Sequence, residues 1–217
     1  MMSFLLLKRM VKRSYTTTIY FLIFSIVFLI IDIYLIITIK TLAPFILTSL
    51  LLSPSLFGIM FSSLTISLFI DDKQNGLLEF FIAEGIKPKK IYNEYVLAYL
   101  TITIPITSIT SIVLGLLVNN LYYLLLILIN AIGISGIIIP LSIYLSYLQR
   151  VTGSSKSPLG TYIGFSILFL YIYSGTVVKS ATEIQNLMLY LGITVLFIAI
   201  LLTLLVGNVI KAEKLIP

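Results

Sequence analysis

Asp71-Asp72-Lys73-Gln74-Asn75-Gly76-Leu77-Leu78-Glu79-Phe80-Phe81-Ile82-Ala83-Glu84-Gly85-Ile86-Lys87-Pro88-Lys89-Lys90 is the longest polar interval in an otherwise oily chain. It holds four of the fourteen Lys and Arg residues and four of the eight Asp and Glu residues. The runs on either side of it are apolar for twenty residues or more. With 59% hydrophobic and 10% charged residues and a mean hydropathy of +1.15, the chain is not a soluble domain, since those run at roughly a quarter charged. The fold class is all-α and polytopic, with the quoted stretch as a loop between two membrane spans. A length of 217 residues fits one membrane domain.

Outward from that loop, the apolar runs predict six transmembrane helices at about 18–39, 42–70, 95–118, 121–148, 159–178 and 187–209. The first exceeds the apolar region of a signal peptide and has no small-residue cleavage site, so it stays as a span. The second is long for one helix and contains Pro44 and Pro54, which predicts an irregular start and then a kinked or tilted helix. Asn119-Asn120 is a minimal turn that makes spans three and four an antiparallel hairpin. Residues 149–157 form a polar loop, with Ser157 and Pro158 as N-cap and first residue of span five. Residues 179–186 form a second polar loop before span six. The division is therefore 1–14, a basic amphipathic N-terminal helix, and 15–217, one six-span domain.

Six spans place both termini on one side, and the cations say which. Twelve of the fourteen Lys and Arg residues fall in the N-terminal segment, the loops after spans two and four, and the tail; only Lys40 and Lys179 lie opposite. That bias puts both termini and the 71–90 loop in the cytoplasm. The net charge of +6 is thereby topology and lipid attraction, and nucleic acid is excluded as a partner. In the N-terminal segment Lys8, Arg9, Lys12 and Arg13 form one basic stripe opposite Phe4, Leu7, Met10 and Val11. This suits either a helix lying at the headgroups or a flexible basic leader that orients the first span.

The chain has no Cys and no His. Disulfides, thiolate or imidazole metal sites, and Cys or His nucleophile chemistry are therefore excluded, and no metal site is expected. A Ser–His dyad and an H-E-x-x-H zinc site are impossible, and no Gly-x-Ser-x-Gly elbow occurs. Gly153-Ser154-Ser155-Lys156-Ser157 lacks the spacing and the preceding strand of a P-loop, so an ATP-driven role needs another chain to hydrolyse the nucleotide. No enzymatic activity and no bound cofactor are expected. Asp32, in the outer third of span one, is either a substrate-path or proton-site acid or an interfacial residue near Lys40.

Within the opening loop, 75–83 phases as a short helix with Leu77, Leu78, Phe81 and Ile82 on one face and Glu79 pointing away. Asn75-Gly76 is the entry, Gly85 the stop, and Pro88 opens the helix leading into span three. Such a helix either docks a partner or floats at the headgroups. The layout of basic amphipathic helix, two spans, a Gly-x-Leu-Glu loop and four more spans resembles the membrane subunits of type-2 ABC exporters. The residues that carry the likeness are Gly76, Leu78, Glu79, Phe81 and Ile82. Asp71-Asp72-x-Gln74-Asn75-Gly76-x-Leu78-Glu79 also resembles the loop of the haem-exporter permeases of cytochrome c maturation, the CcmB type.

That resemblance implies a plasma-membrane permease subunit with Asn75, Gly76, Leu77, Leu78, Glu79, Phe80, Phe81, Ile82, Ala83, Glu84 and Gly85 as the coupling helix. The helix docks in a cleft of a separate ABC-type ATPase, which holds ATP and Mg, while haem enters only as a possible substrate. A second permease copy or a homologous permease completes the pathway, surrounded by membrane lipid. Glu94-Tyr95 stands where the family often has Gly-Lys, and Glu84-Gly85 where Thr-Pro is common. Gly160 and Gly164, a small-x-x-x-small pair in span five, fit the dimer seam that the resemblance implies, or a helix crossing within one subunit. An alternative from another class is a non-transporting scaffold or accessory subunit of a respiratory or secretion complex. An ion-coupled secondary transporter is disfavoured, because Asp32 is the lone acid inside a span.

Overall fold

The computed structural model describes residues 2–13, 15–39, 44–148 and 159–215. These form α1 (Met2–Arg13), α2 (Tyr15–Thr38), α3 (Pro44–Ser49), α4 (Leu52–Gln74), α5 (Leu77–Ala83), α6 (Pro88–Leu117), α7 (Leu121–Leu148), α8 (Leu159–Val177) and α9 (Ala181–Val209), then a 3-10 turn over Ala212–Lys214. Five helical segments are long and apolar enough to cross a membrane: α2, α3 with α4, α6, α7 and α9. The remaining apolar helix, α8, is shorter. Its 19 residues rise about 28 Å against a hydrocarbon core of about 30 Å. The predicted loop at 149–157, with the Ser157-Pro158 cap, and Lys40 all lie outside the described residues.

The long second run breaks at Leu50-Leu51, and Pro54 is the reason. A proline has no N–H to give to the carbonyl four residues back, and its ring crowds that carbonyl, here that of Leu50. The chain closes the gap with a tighter bond from Leu51 N to Thr48 O at 3.2 Å. At the α6–α7 hairpin Asn119 takes φ 54, and Asn120 Oδ1 accepts from Tyr122 N at 2.9 Å. Gly115 makes room for the return, since a Cβ there would lie 2.4 Å from Leu124 Cβ.

One expectation is corrected. Residues 181–186 are helix, because α9 starts at Ala181 and not near 187. Ser180 caps it by accepting from Glu183 N at 3.2 Å, and Ser180-x-x-Glu183 has the capping-box spacing.

α7 lies at the centre, in contact with α4, α6, α8 and α9. Polar pins and small residues fix these crossings. The Tyr99 hydroxyl from α6 reaches Gly58 O on α4 at 3.0 Å and Ser135 O on α7 at 2.9 Å. Asn130 Nδ2 on α7 donates to Met188 O on α9 at 3.0 Å, and Gly192 of α9 lies directly over the Asn130 amide. In hydrocarbon such contacts hold helices together, because apolar surface gains nothing by leaving lipid for protein.

Candidate functional site

The 71–90 stretch builds a braced elbow at one end of the bundle. α4 ends at Gln74, Asn75 and Gly76 turn, and Gly76 takes φ 71 so that α5 can start at an angle. α5 ends in a Schellman arrangement: Gly85 (φ 79) donates to Ile82 O at 2.9 Å, and Ile86 N donates to Phe81 O at 3.0 Å. Pro88 follows as the first residue of α6.

Leu78 is completely buried, and Phe81, Ile82 and Ile86 pack on the same apolar cluster, which includes Phe69, Ile91 and Tyr95. Of the face predicted to be shared by Leu77, Leu78, Phe81 and Ile82, the last three thus lie against the protein's own bundle, and Leu77 is half-buried. What α5 presents outward is Glu79, Phe80, Ala83 and Glu84, with Phe80 56% exposed.

A polar knot holds this elbow. Arg9 grips Asp72 with both arms of its guanidinium, Nη2 to Oδ1 at 2.7 Å and Nη1 to Oδ2 at 3.2 Å. The Tyr95 hydroxyl donates to the same Asp72 Oδ2. Asp72 is buried, so three donors replace the water it has lost. Arg13 pairs with Asp71 at 2.9 Å, and Ser3 N donates to Glu94 on α6. On the far side Lys73 Nζ donates to Tyr147 O at 3.3 Å, and the Tyr147 hydroxyl accepts from Lys211 N at 3.0 Å. The last residues of α4, immediately before the turn into α5, are therefore tied to α1, α6, α7 and the C-terminal segment.

In the N-terminal helix all four cations of the basic stripe are exposed, Arg9 and Arg13 reaching the acids of α4 while Lys8 and Lys12 stay free of them. The one correction is Phe4, which was expected opposite the cations and is exposed beside Lys8. Leu6 and Met10 are buried in the cluster that also holds Leu78. Sequence reasoning missed Tyr95, although Tyr92, Tyr95 and Tyr99 recur at helical spacing and all three are buried. Asp72 was visible as a polar residue, but nothing in the pattern said that it would be buried.

The other candidates lie elsewhere. Asp32 is buried against Ser53 of α4. Among the described residues neither Asp32 Oδ2 nor Ser53 Oγ has a hydrogen-bond partner. Gly164 is buried where α8 crosses α4 and α7, since a Cβ there would come within 2.5 Å of Ile59 Cγ1 and 3.0 Å of Ile138 Cδ1. That is a crossing within the subunit. Gly160 lies in the first turn of α8. No cluster of three potential His, Cys, Asp or Glu ligands for a metal occurs among the described residues. Comparison with family models, with curated proteins and with solved structures finds no match to this chain.

Proposed function

We propose that the chain is the membrane-spanning subunit of an ABC exporter in the cell membrane. It has six spans and cytoplasmic termini, and it is driven by a separate ATPase docked on the outward face of α5. The observation that carries this reading is the bracing of α5. A helix that floats at the headgroups would bury its apolar side in lipid, whereas α5 buries Leu78 in the bundle and offers Glu79, Phe80, Ala83 and Glu84 to whatever lies beyond. A push on that face passes to α4 through Asp71, Asp72 and Lys73, and to α6 through Ile86 and Pro88. Rigid helices then carry it into the spans, which is what coupling nucleotide-driven closure to a change of access requires.

ATP and Mg belong to the partner, and haem is retained only as one possible substrate. Two permease subunits form the pathway. Their seam lies along α2 and α8, where a groove of about 570 Å³ between Phe24, Val27, Met60 and Phe165 leaves apolar surface uncovered. The decisive experiment is affinity purification of the full chain in mild detergent, with identification of the partners and an ATPase assay on the complex. A stoichiometric P-loop subunit and vanadate-sensitive hydrolysis are expected. A stable complex with no nucleotide-hydrolysing subunit contradicts the proposal and favours a scaffold role.

A further inference from the structure

A second groove, away from α5, runs along the outer surface between α6 and α9. Both helices pack on α7, and they meet each other at the C-terminal end of α9. There Gly207 fits against the Tyr92 ring, with a Cβ position 3.2 Å from Cδ1, and Lys89 Nζ donates to Asn208 Oδ1 at 2.8 Å. Next to that contact lies a hollow of about 250 Å³ between the two helices, with Lys89 and Asn93 at its mouth. Leu100, Thr203 and Leu204 line this hollow and also the next one, of about 410 Å³, so the two adjoin along the groove. Its inner part is lined by Gly136 and Ala199, where α7 and α9 touch through their smallest side chains, the Gly136 Cβ position being 3.0 Å from Ala199 Cβ.

The chemistry changes along the groove. At the mouth stands an exposed ammonium whose position is fixed by one neutral amide, leaving further donor capacity open. Lys87 and Lys90 are exposed on the same turn, and the lining holds no acid. The nearest acid along α6, Glu94, is already engaged by Ser3 N. Inward of Asn93 the lining is apolar except for Thr203, whose hydroxyl is turned back to Ala199 O at 2.8 Å. From Lys89 to Ile104 the helix rises about 22 Å, enough for a headgroup and one leaflet of about 15 Å. The cationic end is the one that the charge distribution assigns to the cytoplasm.

We propose that this groove is a binding site for an anionic phospholipid of the cytoplasmic leaflet. The headgroup phosphate sits on Lys89 and Asn93, and one acyl chain lies between α6 and α9 over Gly136. The charge at the mouth selects anionic over zwitterionic lipid, and the apolar groove selects a diacyl lipid over a free phosphate. The site is independent of any ATPase on α5.

The test is native mass spectrometry of the full chain released from detergent, titrated with phosphatidylglycerol, with phosphatidylcholine of the same chains, and with glycerol phosphate. Lys89→Gln, Lys89→Arg and Thr203→Phe are compared, each checked for fold by its thermal transition. Wild type is expected to hold one phosphatidylglycerol in preference to phosphatidylcholine and to ignore glycerol phosphate. Lys89→Gln should lower that preference about fivefold, the effect of one basic residue at an anionic surface, and Lys89→Arg should restore it. Thr203→Phe, which fills the groove, should reduce retention of both lipids. Equal retention of the two lipids by wild type, or retention unchanged in both Lys89→Gln and Thr203→Phe, overturns the proposal. A groove filled by a second copy of the chain, seen as a dimer that Thr203→Phe dissociates, overturns it as well.

Discussion

α2 and the α3–α4 segment are adjacent apolar stretches in the sequence, yet they occupy opposite environments. Of the most apolar part of α2, 11% is buried; of the corresponding part of Pro44–Gln74, 83% is buried. The more hydrophobic of the two is thus the peripheral one. Away from the groove it shares with α8, α2 presents Ile19, Ile26, Ile30 and Tyr34 outward. α4 carries Ser53, Ser55, Gly58, Ser62 and Thr65 into the interior, all of them buried. In water the order would be reversed. In a bilayer the solvent is itself apolar, so large aliphatic side chains mark the lipid face while small and hydroxylated residues mark where helices approach closely. Ser62 and Thr65 satisfy their buried hydroxyls within their own helix, Ser62 donating to Ile59 O and Thr65 to Phe61 O at 2.9 Å.

Substitutions break or sharpen this contrast in a definite order. Gly58→Leu should have the largest effect. Even a Cβ at that position would meet Ser135 Oγ at 2.2 Å, and the overpacking is expected to cost about 3 kcal/mol or more. Loss of the monodisperse peak in detergent chromatography checks it. Arg9→Ala comes next, because it leaves Asp72 buried without its main counter-charge. We expect a loss of about 2–3 kcal/mol, less than for a fully buried pair because the Arg9 side chain is 44% exposed. Faster proteolysis within 1–14 should accompany it.

Tyr99→Phe removes the one hydroxyl proton shared between Gly58 O and Ser135 O. It should lower stability by about 1 kcal/mol, read as a modest shift in thermal midpoint. Ile30→Ala, on α2 at a residue 58% exposed, should change stability by no more than about 0.5 kcal/mol. If Ile30→Ala were as damaging as Gly58→Leu, the division between lipid face and core would be wrong.

The same physics explains what was legible beforehand. Apolar length located the long helices, and Gly76, Gly85 and Pro88 marked the ends of α5 and the start of α6, because those signals are local. Pro54 announced an irregularity, and the structure puts it one turn earlier, at the carbonyl that the ring displaces. Polarity alone hides the start of α9, since residues 179–186 read as loop, although Ser180-x-x-Glu183 is a helix-start pattern. What the apolar face of α5 packs against was not legible. An amphipathic helix at a membrane surface and one packed on its own bundle have the same periodicity. The pairing of Arg9 and Arg13 with Asp72 and Asp71 was equally hidden, since residues so far apart in sequence meet only once the bundle has folded.

Docking on the outward face of α5 is open to a direct test through the adjacent phenylalanines Phe80 and Phe81. Phe80 faces out and Phe81 packs on the cluster containing Leu78. Co-purification of the proposed ATPase should be measured for Phe80→Asp, Glu79→Lys and Phe81→Asp, alongside the thermal midpoint of each variant. Docking predicts that Phe80→Asp and Glu79→Lys lose the ATPase with an unchanged midpoint, while Phe81→Asp lowers the midpoint. Full retention of the ATPase by both Phe80→Asp and Glu79→Lys would contradict it.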